Sequence, residues 1–235
     1  MDQYPSRREA FKLAAGMGIA TSANFFFPSD AIAVPGNGDI THGLRSRSEV
    51  ALTFHGQGEV AIAMNLLEIG KKTSTPLTVM AVGTWLDANP DMGRKILATG
   101  NEIGNHTYSH KTMTRLTLKE ATSEIQKGKA ALIRSIGTPG KWFRPSGTPK
   151  SNSTIRAAVK RAGYARCITY DVDSLDYQDP APQVIVANCL RTVQNGSIIS
   201  LHFGHPQTVI ALPLLIKALT LRGLTPVTLS QLLRI

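Results

Sequence analysis

Short apolar runs punctuate the chain from residue 49 onward, each bounded by polar or turn-forming residues. They are Glu49–Phe54, Pro76–Val82, Glu102–Gly104, Lys141–Phe143, Arg166–Tyr170, Gly196–Leu201 and Leu224–Thr228. Runs of this length predict buried strands. Most of the intervals carry helical spacing. Glu59–Lys72 turns Val60, Met64, Leu67 and Ile69 toward one side. Asn89-Pro90 opens a helix that Gly100 closes, with proline at the front and glycine behind. Thr117 and Glu120 form a capping box for a helix running to Ile136. Ser151–Gly163, Pro182–Gln194 and Gln207–Gly223 complete the set. Strand and helix alternate without an internal sequence repeat, which predicts an α/β fold with parallel strands, as an open sheet or a barrel.

The polar residues at the ends of these runs favour the barrel. His55 follows the first run, His106 and His110 the third, and Arg144 the fourth; Asp171, Asp173 and Asp176 follow the fifth and His202 the sixth. An α/β barrel gathers its strand-to-helix loops at one face, where the chemistry sits. An open sheet gathers only those at its switch point. Of the six histidines, four belong to this set, His205 lies just beyond His202, and His42 alone lies far from it.

Each motif offers a chemistry. In Asn105-His106-Thr107-Tyr108-Ser109-His110, two histidines at i and i+4 start where a strand gives way to a turn. They can face one metal, and equally suit two structural imidazoles. Phe143-Arg144-Pro145-Ser146-Gly147 puts a guanidinium in a stiff turn, suited to orienting a carboxylate or stabilising an oxyanion. Asp171 to Tyr177 packs three carboxylates beside an aromatic ring. Leu201-His202-Phe203 closes a strand with an imidazole, the side chain best suited to protonate a leaving amine near neutral pH. His205, close by, reads as loop structure.

Taken together, in order, these segments resemble the motif set of the NodB-type polysaccharide deacetylases, across about residues 48–232. That family carries Thr-Phe-Asp-Asp-Gly, His-Ser/Thr-x-x-His, Arg-Pro, Asp-x-x-Asp-Trp and Leu-x-His or Leu-His segments. This chain has Thr53-Phe54-His55-Gly56, His106 to His110, Arg144-Pro145, Asp173-Ser174-Leu175-Asp176-Tyr177 and Leu201-His202. The resemblance implies a distorted, incomplete (β/α) barrel of about seven parallel strands. It also implies a divalent metal on His106 and His110, zinc first, with cobalt or nickel also suited to nitrogen ligands. The implied reaction removes an acetyl group from an N- or O-acetylated carbohydrate polymer. His202 would be the acid, Asp176 would hold its tautomer, and Arg144 and Asp173 would position the other groups. Tyr108, Tyr177 and Leu201 would form a slot for the acetyl methyl.

The pattern breaks at its first motif. His55 stands where the family has its catalytic aspartate, and Gly56 where it has a metal-binding one. Tyr177 replaces tryptophan, and the Arg-Pro turn is one residue shorter than the common form. Three readings follow. His55 completes a three-histidine site; or His55 is the base beside a two-ligand metal; or the chain is a carbohydrate-binding protein that lost catalysis.

Composition adds context. Apolar residues make 42% and charged residues 18% of the 235, the balance of an ordinary globular protein. The net charge is +10, which favours an anionic surrounding such as an acidic wall polymer. No arginine-rich helix or aromatic–basic interleaving points to nucleic acid. Cys167 and Cys189 lack metal spacing and predict two buried free thiols. Ser6-Arg7-Arg8-Glu9-Ala10-Phe11-Lys12 resembles a twin-arginine export signal, and Ala31-Ile32-Ala33 a cleavage site. Leu13–Phe27 between them is too short and polar to span a membrane comfortably. The expected organisation is a signal over 1–33, a linker over 34–48 and the catalytic domain over 49–235. The mature protein is then extracytoplasmic, without a membrane span. The oligomeric state is not legible.

Overall fold

The computed structural model describes residues 38–234, so the expected signal segment lies outside the described residues. The sheet is built around β1 (Glu49–Gly56), which pairs in parallel with β2 (Thr78–Ala81) on one side and β5 (Ile198–His202) on the other. β3 (Glu102–Asn105) continues beyond β2, and β4 (Val172–Asp173) beyond β5; β6 (Thr225–Pro226) pairs with the start of β1. Past β3, single parallel bridges join Asn105 to Phe143 and Phe143 to Cys167. The segment from Cys167 to Asp173 is therefore bonded to Phe143 at its start and to β5 at its end. That closes the sheet into the expected distorted barrel.

The two runs expected as strands at Lys141–Phe143 and Arg166–Tyr170 are reduced to isolated bridges. The cause is local. The Arg144 guanidinium takes the carbonyls of Ile168 and Thr169, and Ile40 takes the backbone of Cys167 and Thr169. These groups are satisfied without a continuous ladder. The same contacts move the domain boundary. The linker expected up to Ser48 belongs to the fold from Asp39 onward: Asp39 accepts from Ser151, Ile40 is buried against Ile168, and His42 bridges Ser197. This segment fills the gap where the barrel splays.

Alternation along the strands sets two layers of core. Val50, Leu52 and Phe54 of β1 and Ile199 and Leu201 of β5 face outward, into the main core with α1 (Val60–Lys72), α2 (Gly83–Ala88), α3 (Met92–Ala98) and further helices. α4 (Leu118–Ile136) and α5 (Ser153–Arg161) cover Phe143. The capping box of Thr117 and Glu120 starts α4, and Gly137 at φ 78° ends it. α6 (Pro182–Thr192) and α7 (Pro206–Leu221) follow, each with proline in its first turn.

The inward residues form tiers. Ala51 and Ile198 are paired at the bottom, closed off by Leu229, Leu232 and Leu233 of α8 (Leu229–Leu233). Thr53 pairs with Ser200 above them, and His55 with His202 at the top. The barrel interior thus changes from apolar to polar toward the C-terminal ends of its strands. Cys167 and Cys189 are buried and free, and burial pushes both thiols up to about 12. Among the described residues no helix is long and apolar enough to cross a membrane.

Candidate metal centre and acid–base dyad

The strand register brings His55 beside His202, with ring centroids 4.3 Å apart. His106 ends the extension of β3, and its ring lies 4.4 Å from that of His55 and 5.0 Å from that of His110. One ring nitrogen from each of His55, His106 and His110 lies within 4.8 Å of the others.

Tautomers follow from the hydrogen bonds. His106 Nδ1 is 2.9 Å from the carbonyl of Arg144, an acceptor, so Nδ1 carries the proton and Nε2 the lone pair. His106 Nε2 and His55 Nε2 are both buried without a partner. Each such orphaned atom costs about 1–3 kcal/mol, a cost that a shared divalent cation removes. Burial, then the neighbouring imidazoles, holds His55 and His106 well below the ordinary histidine value. Burial and His202 lower His110 as well. Neutral imidazole is the ligating form, so the donor set fits a nitrogen-preferring metal.

The depressed values have a consequence for the metal-free protein. Native His55 and His106 stay neutral where the unfolded chain, with values near 6.5, takes up protons. The unfolded state then binds more protons, so stability is full above about pH 6.5 and falls as pH drops below it. The expected slope approaches two protons, about 2–3 kcal/mol per pH unit. Urea midpoints between pH 7 and 5 would check it; a flat profile would mean that the rings are hydrated.

The loop carrying the histidines is held in an uncommon shape. Thr107 (φ 68°) and His110 (φ 55°) are both left-handed. Asn105 Oδ1 accepts from Thr107 N, and the buried Glu124 carboxylate accepts from the backbone N–H and hydroxyl of Ser109. Gly128 makes room, since a Cβ there would sit 2.4 Å from Asn105 Oδ1. Glu124 and Gly128 escaped the sequence reading, because a lone acid or glycine within a helix carries no local signal.

Arg144 is 1% exposed and crosses the barrel interior below the histidines. Its guanidinium donates to Thr53 Oγ1 and to the carbonyls of Ile168 and Thr169, and lies 5.4 Å from the Tyr170 ring. Burial lowers it to about 10, which leaves it charged near neutral pH. Arg144 thus fixes His106 through its carbonyl and braces β1 through its side chain. Asp173 Oδ1 accepts from Leu175 N and shapes the turn at the rim.

Asp176 is fully buried. Its Oδ1 lies 2.6 Å from His202 Nδ1, and its Oδ2 accepts from His202 N and from the Thr208 hydroxyl. Burial alone would raise this carboxyl, but the bonds and charge from His202 and the bond from Thr208 outweigh it and hold the group below its usual value. The dyad leaves His202 Nε2 free. Tyr177 stands edge-on to His202 at 5.3 Å, 44% exposed. A cavity of about 390 Å³ opens beside His202, walled in part by Trp85 and His205.

Two expected slot residues lie elsewhere. Leu201 is fully buried in the outer core, because alternation turns it to the face of β5 opposite His202. Tyr108 turns to a separate cavity with Lys127, Ala130 and Arg134, its ring under Lys127. Of the three, Tyr177 remains beside the acid. Position 56 also faces away from the cluster. A Cβ on Gly56 would lie 2.6 Å from Val79 Cγ1 and 3.2 Å from Ala81 Cα. Gly56→Ala is expected to cost about 1–3 kcal/mol of stability through overpacking, read as a shift in denaturant midpoint; an unchanged midpoint would show that β2 yields freely.

Residues 43–167 match the family described as polysaccharide deacetylase. A chitooligosaccharide deacetylase from Bradyrhizobium sp. is 30% identical over 203 residues, 79% of this chain and 89% of that protein. The Bacillus subtilis protein YlxY is 32% identical over 169 residues, 72% of this chain; the chain spans about half of that relative, 52%. A solved peptidoglycan N-acetylglucosamine deacetylase superposes with a TM-score of 0.77 at 27% identity, covering 83% of this chain and 92% of that one. A CE4 family pseudoenzyme from Bacillus anthracis superposes at 0.79 with 24% identity, covering 85% and 70%; at that identity the likeness shows the fold alone.

Proposed function

The chain belongs to the polysaccharide deacetylase family, and we propose that it is an exported, metal-dependent hydrolase that removes acetyl groups from an N-acetylated or O-acetylated wall glycan. The single observation that carries this reading is the convergence of three imidazoles, two with buried unpartnered Nε2 atoms, beside a His–Asp dyad whose carboxylate is fully buried. A binding module has no need of that pairing.

His55, His106 and His110 would hold the metal, zinc by the chemistry of the donors, with cobalt or nickel as alternatives. When bound, a divalent cation supplies Lewis-acid polarisation of the acetyl carbonyl and makes water more acidic. The rest falls to the protein. His202 works at Nε2, since Asp176 holds the proton on Nδ1. Nε2 takes a proton from the attacking water and later delivers one to the departing nitrogen or oxygen, so one imidazole serves both directions. This replaces the base that the family's first aspartate would supply. Arg144 keeps the Thr53 tier and the His106 carbonyl partner in place. Tyr177 covers the exposed edge of His202 and narrows water access. Export rests on Arg7, Arg8 and the Ala31-Ile32-Ala33 segment.

The test is metal content of the purified protein by elemental analysis, with acetate release from N-acetylglucosamine oligomers and acetylated peptidoglycan. Near-stoichiometric metal with acetate release is expected. Carbohydrate binding without acetate release, even after reloading with zinc or cobalt, would overturn the hydrolase and leave the binding protein that the altered first motif also allows.

A further inference from the structure

We propose that the outer face of α7 is a membrane-docking surface, by which the folded domain lies on a bilayer carrying anionic headgroups. Such docking stands independently of the hydrolase reading. Residues 180–235 hold no Asp or Glu, while Arg191, Lys217, Arg222 and Arg234 fall among them. The side chains of α6 and α7 therefore carry charge of one sign.

α7 is apolar on both sides. Its core side includes Ala211, Leu212, Leu215, Ile216 and Leu219. A surface helix ordinarily turns charged and polar residues outward. Here Ile210, Pro213, Leu214, Lys217, Thr220 and Leu221 face outward. Ile210 is 56% exposed and Leu221 78%. Steps of three and four residues keep these side chains on one stripe, roughly 16 Å long. Single exposed apolar residues are ordinary, but a continuous stripe marks an interaction surface.

The charges select the occupant. Lys217 sits within the stripe, between Leu214 and Leu221. Its stem can lie along apolar surface while its ammonium reaches a headgroup phosphate. At the end of the stripe Arg222 Nη1 donates to the Leu190 carbonyl at 2.5 Å, which ties the end of α7 to the end of α6, where Arg191 lies exposed. An apolar helix face set among cations fits an anionic lipid surface, where each charge adds attraction to the apolar insertion. A second copy of this chain would meet Lys217 and the arginines with like charges. The chain's own apolar run, Leu13–Phe27, has no charge to answer Lys217. Docking along the stripe also leaves the site open, because α7 starts at Pro206, just past the rim that carries His202, and runs down the outside of the barrel.

The test is flotation of the full chain with vesicles at low salt. Vesicles of phosphatidylglycerol and phosphatidylcholine in equal parts should carry the protein up the gradient. Pure phosphatidylcholine should carry at least about fivefold less. Lys217→Gln should weaken binding to the mixed vesicles about fivefold, the loss of one surface charge. Leu214→Gln and Leu221→Gln should each weaken it by about fivefold or more. All three side chains are exposed, so the fold should hold, with unchanged denaturant midpoints as the check. Lys119→Gln on α4 removes the same charge outside this face and should change binding by less than about twofold. No flotation, equal flotation with neutral vesicles, or flotation that survives all three α7 variants would overturn the proposal; survival would pass the role to the N-terminal apolar run or to net charge at large. A solution dimer that Leu214→Gln dissolves, without vesicle binding, would overturn it in favour of a second copy. None of these readings depends on acetate release, so loss of the hydrolase reading would leave the docking face standing.

Discussion

His202→Ala is expected to lower kcat by about 10²–10⁴ while metal content and KM change little. The imidazole is the one group at the site with a free nitrogen, a fixed tautomer and a buried carboxylate behind it. Its loss removes proton transfer to the leaving group and leaves the three candidate ligands in place. Asp176→Asn should behave similarly, because the amide can donate to Nδ1 and so favour the wrong tautomer. The asparagine variant separates orientation from bulk, since Thr208 and the His202 backbone N–H still find an oxygen to bond. Acetate release with parallel elemental analysis decides the matter. Unchanged turnover in His202→Ala with metal intact would remove the acid role and return the search to Asp173 and His205.

Much of this site was legible in the sequence because its histidines, arginine and aspartates sit at strand ends. Strand ends are fixed by apolar periodicity, and periodicity is what a sequence displays openly. The barrel followed from the same signal. What failed had a physical reason in each case. Leu201, which the resemblance puts in the acetyl slot, faces away from His202, because neighbours on a strand face opposite sides. Tyr108, which the resemblance puts in the same slot, has its ring thrown outward by the left-handed turns at Thr107 and His110. Lys141–Phe143 and Arg166–Tyr170 read as strands from composition, while in the second run the carbonyls of Ile168 and Thr169 are spent on a buried guanidinium that no periodicity reveals. Asp39 to Leu44 read as linker because it is short and polar, though Asp39, Ile40 and His42 tie it into the barrel wall. Glu124 and the His205–Asp179 pair are tertiary facts, assembled from segments 15 and 26 residues apart.

His55→Ala is expected to weaken metal binding by more than the 10–100-fold typical of losing an outer partner of a ligand, and to abolish turnover at ordinary metal concentrations. The substitution decides what replaces the family's first aspartate. A general base works best with a value near the operating pH. His55 is held well below the ordinary histidine value by burial and by its imidazole neighbours, so it is a poor proton acceptor near neutrality. The same depression is an advantage in a ligand, which must be unprotonated to bind. Its Nε2 is buried without a partner and converges with His106 and His110, whereas a base needs access to water. Gly56 offers no alternative third ligand, since its Cβ direction runs into Val79. Titration of chelator-stripped His55→Ala with cobalt, followed by absorbance, would read the affinity directly. A loss of kcat with cobalt affinity within about threefold of the parent would make His55 the base and leave a two-histidine site. A large drop in affinity, with turnover partly recovered at millimolar metal, would establish three neutral imidazoles where the family's pattern has an aspartate and two histidines.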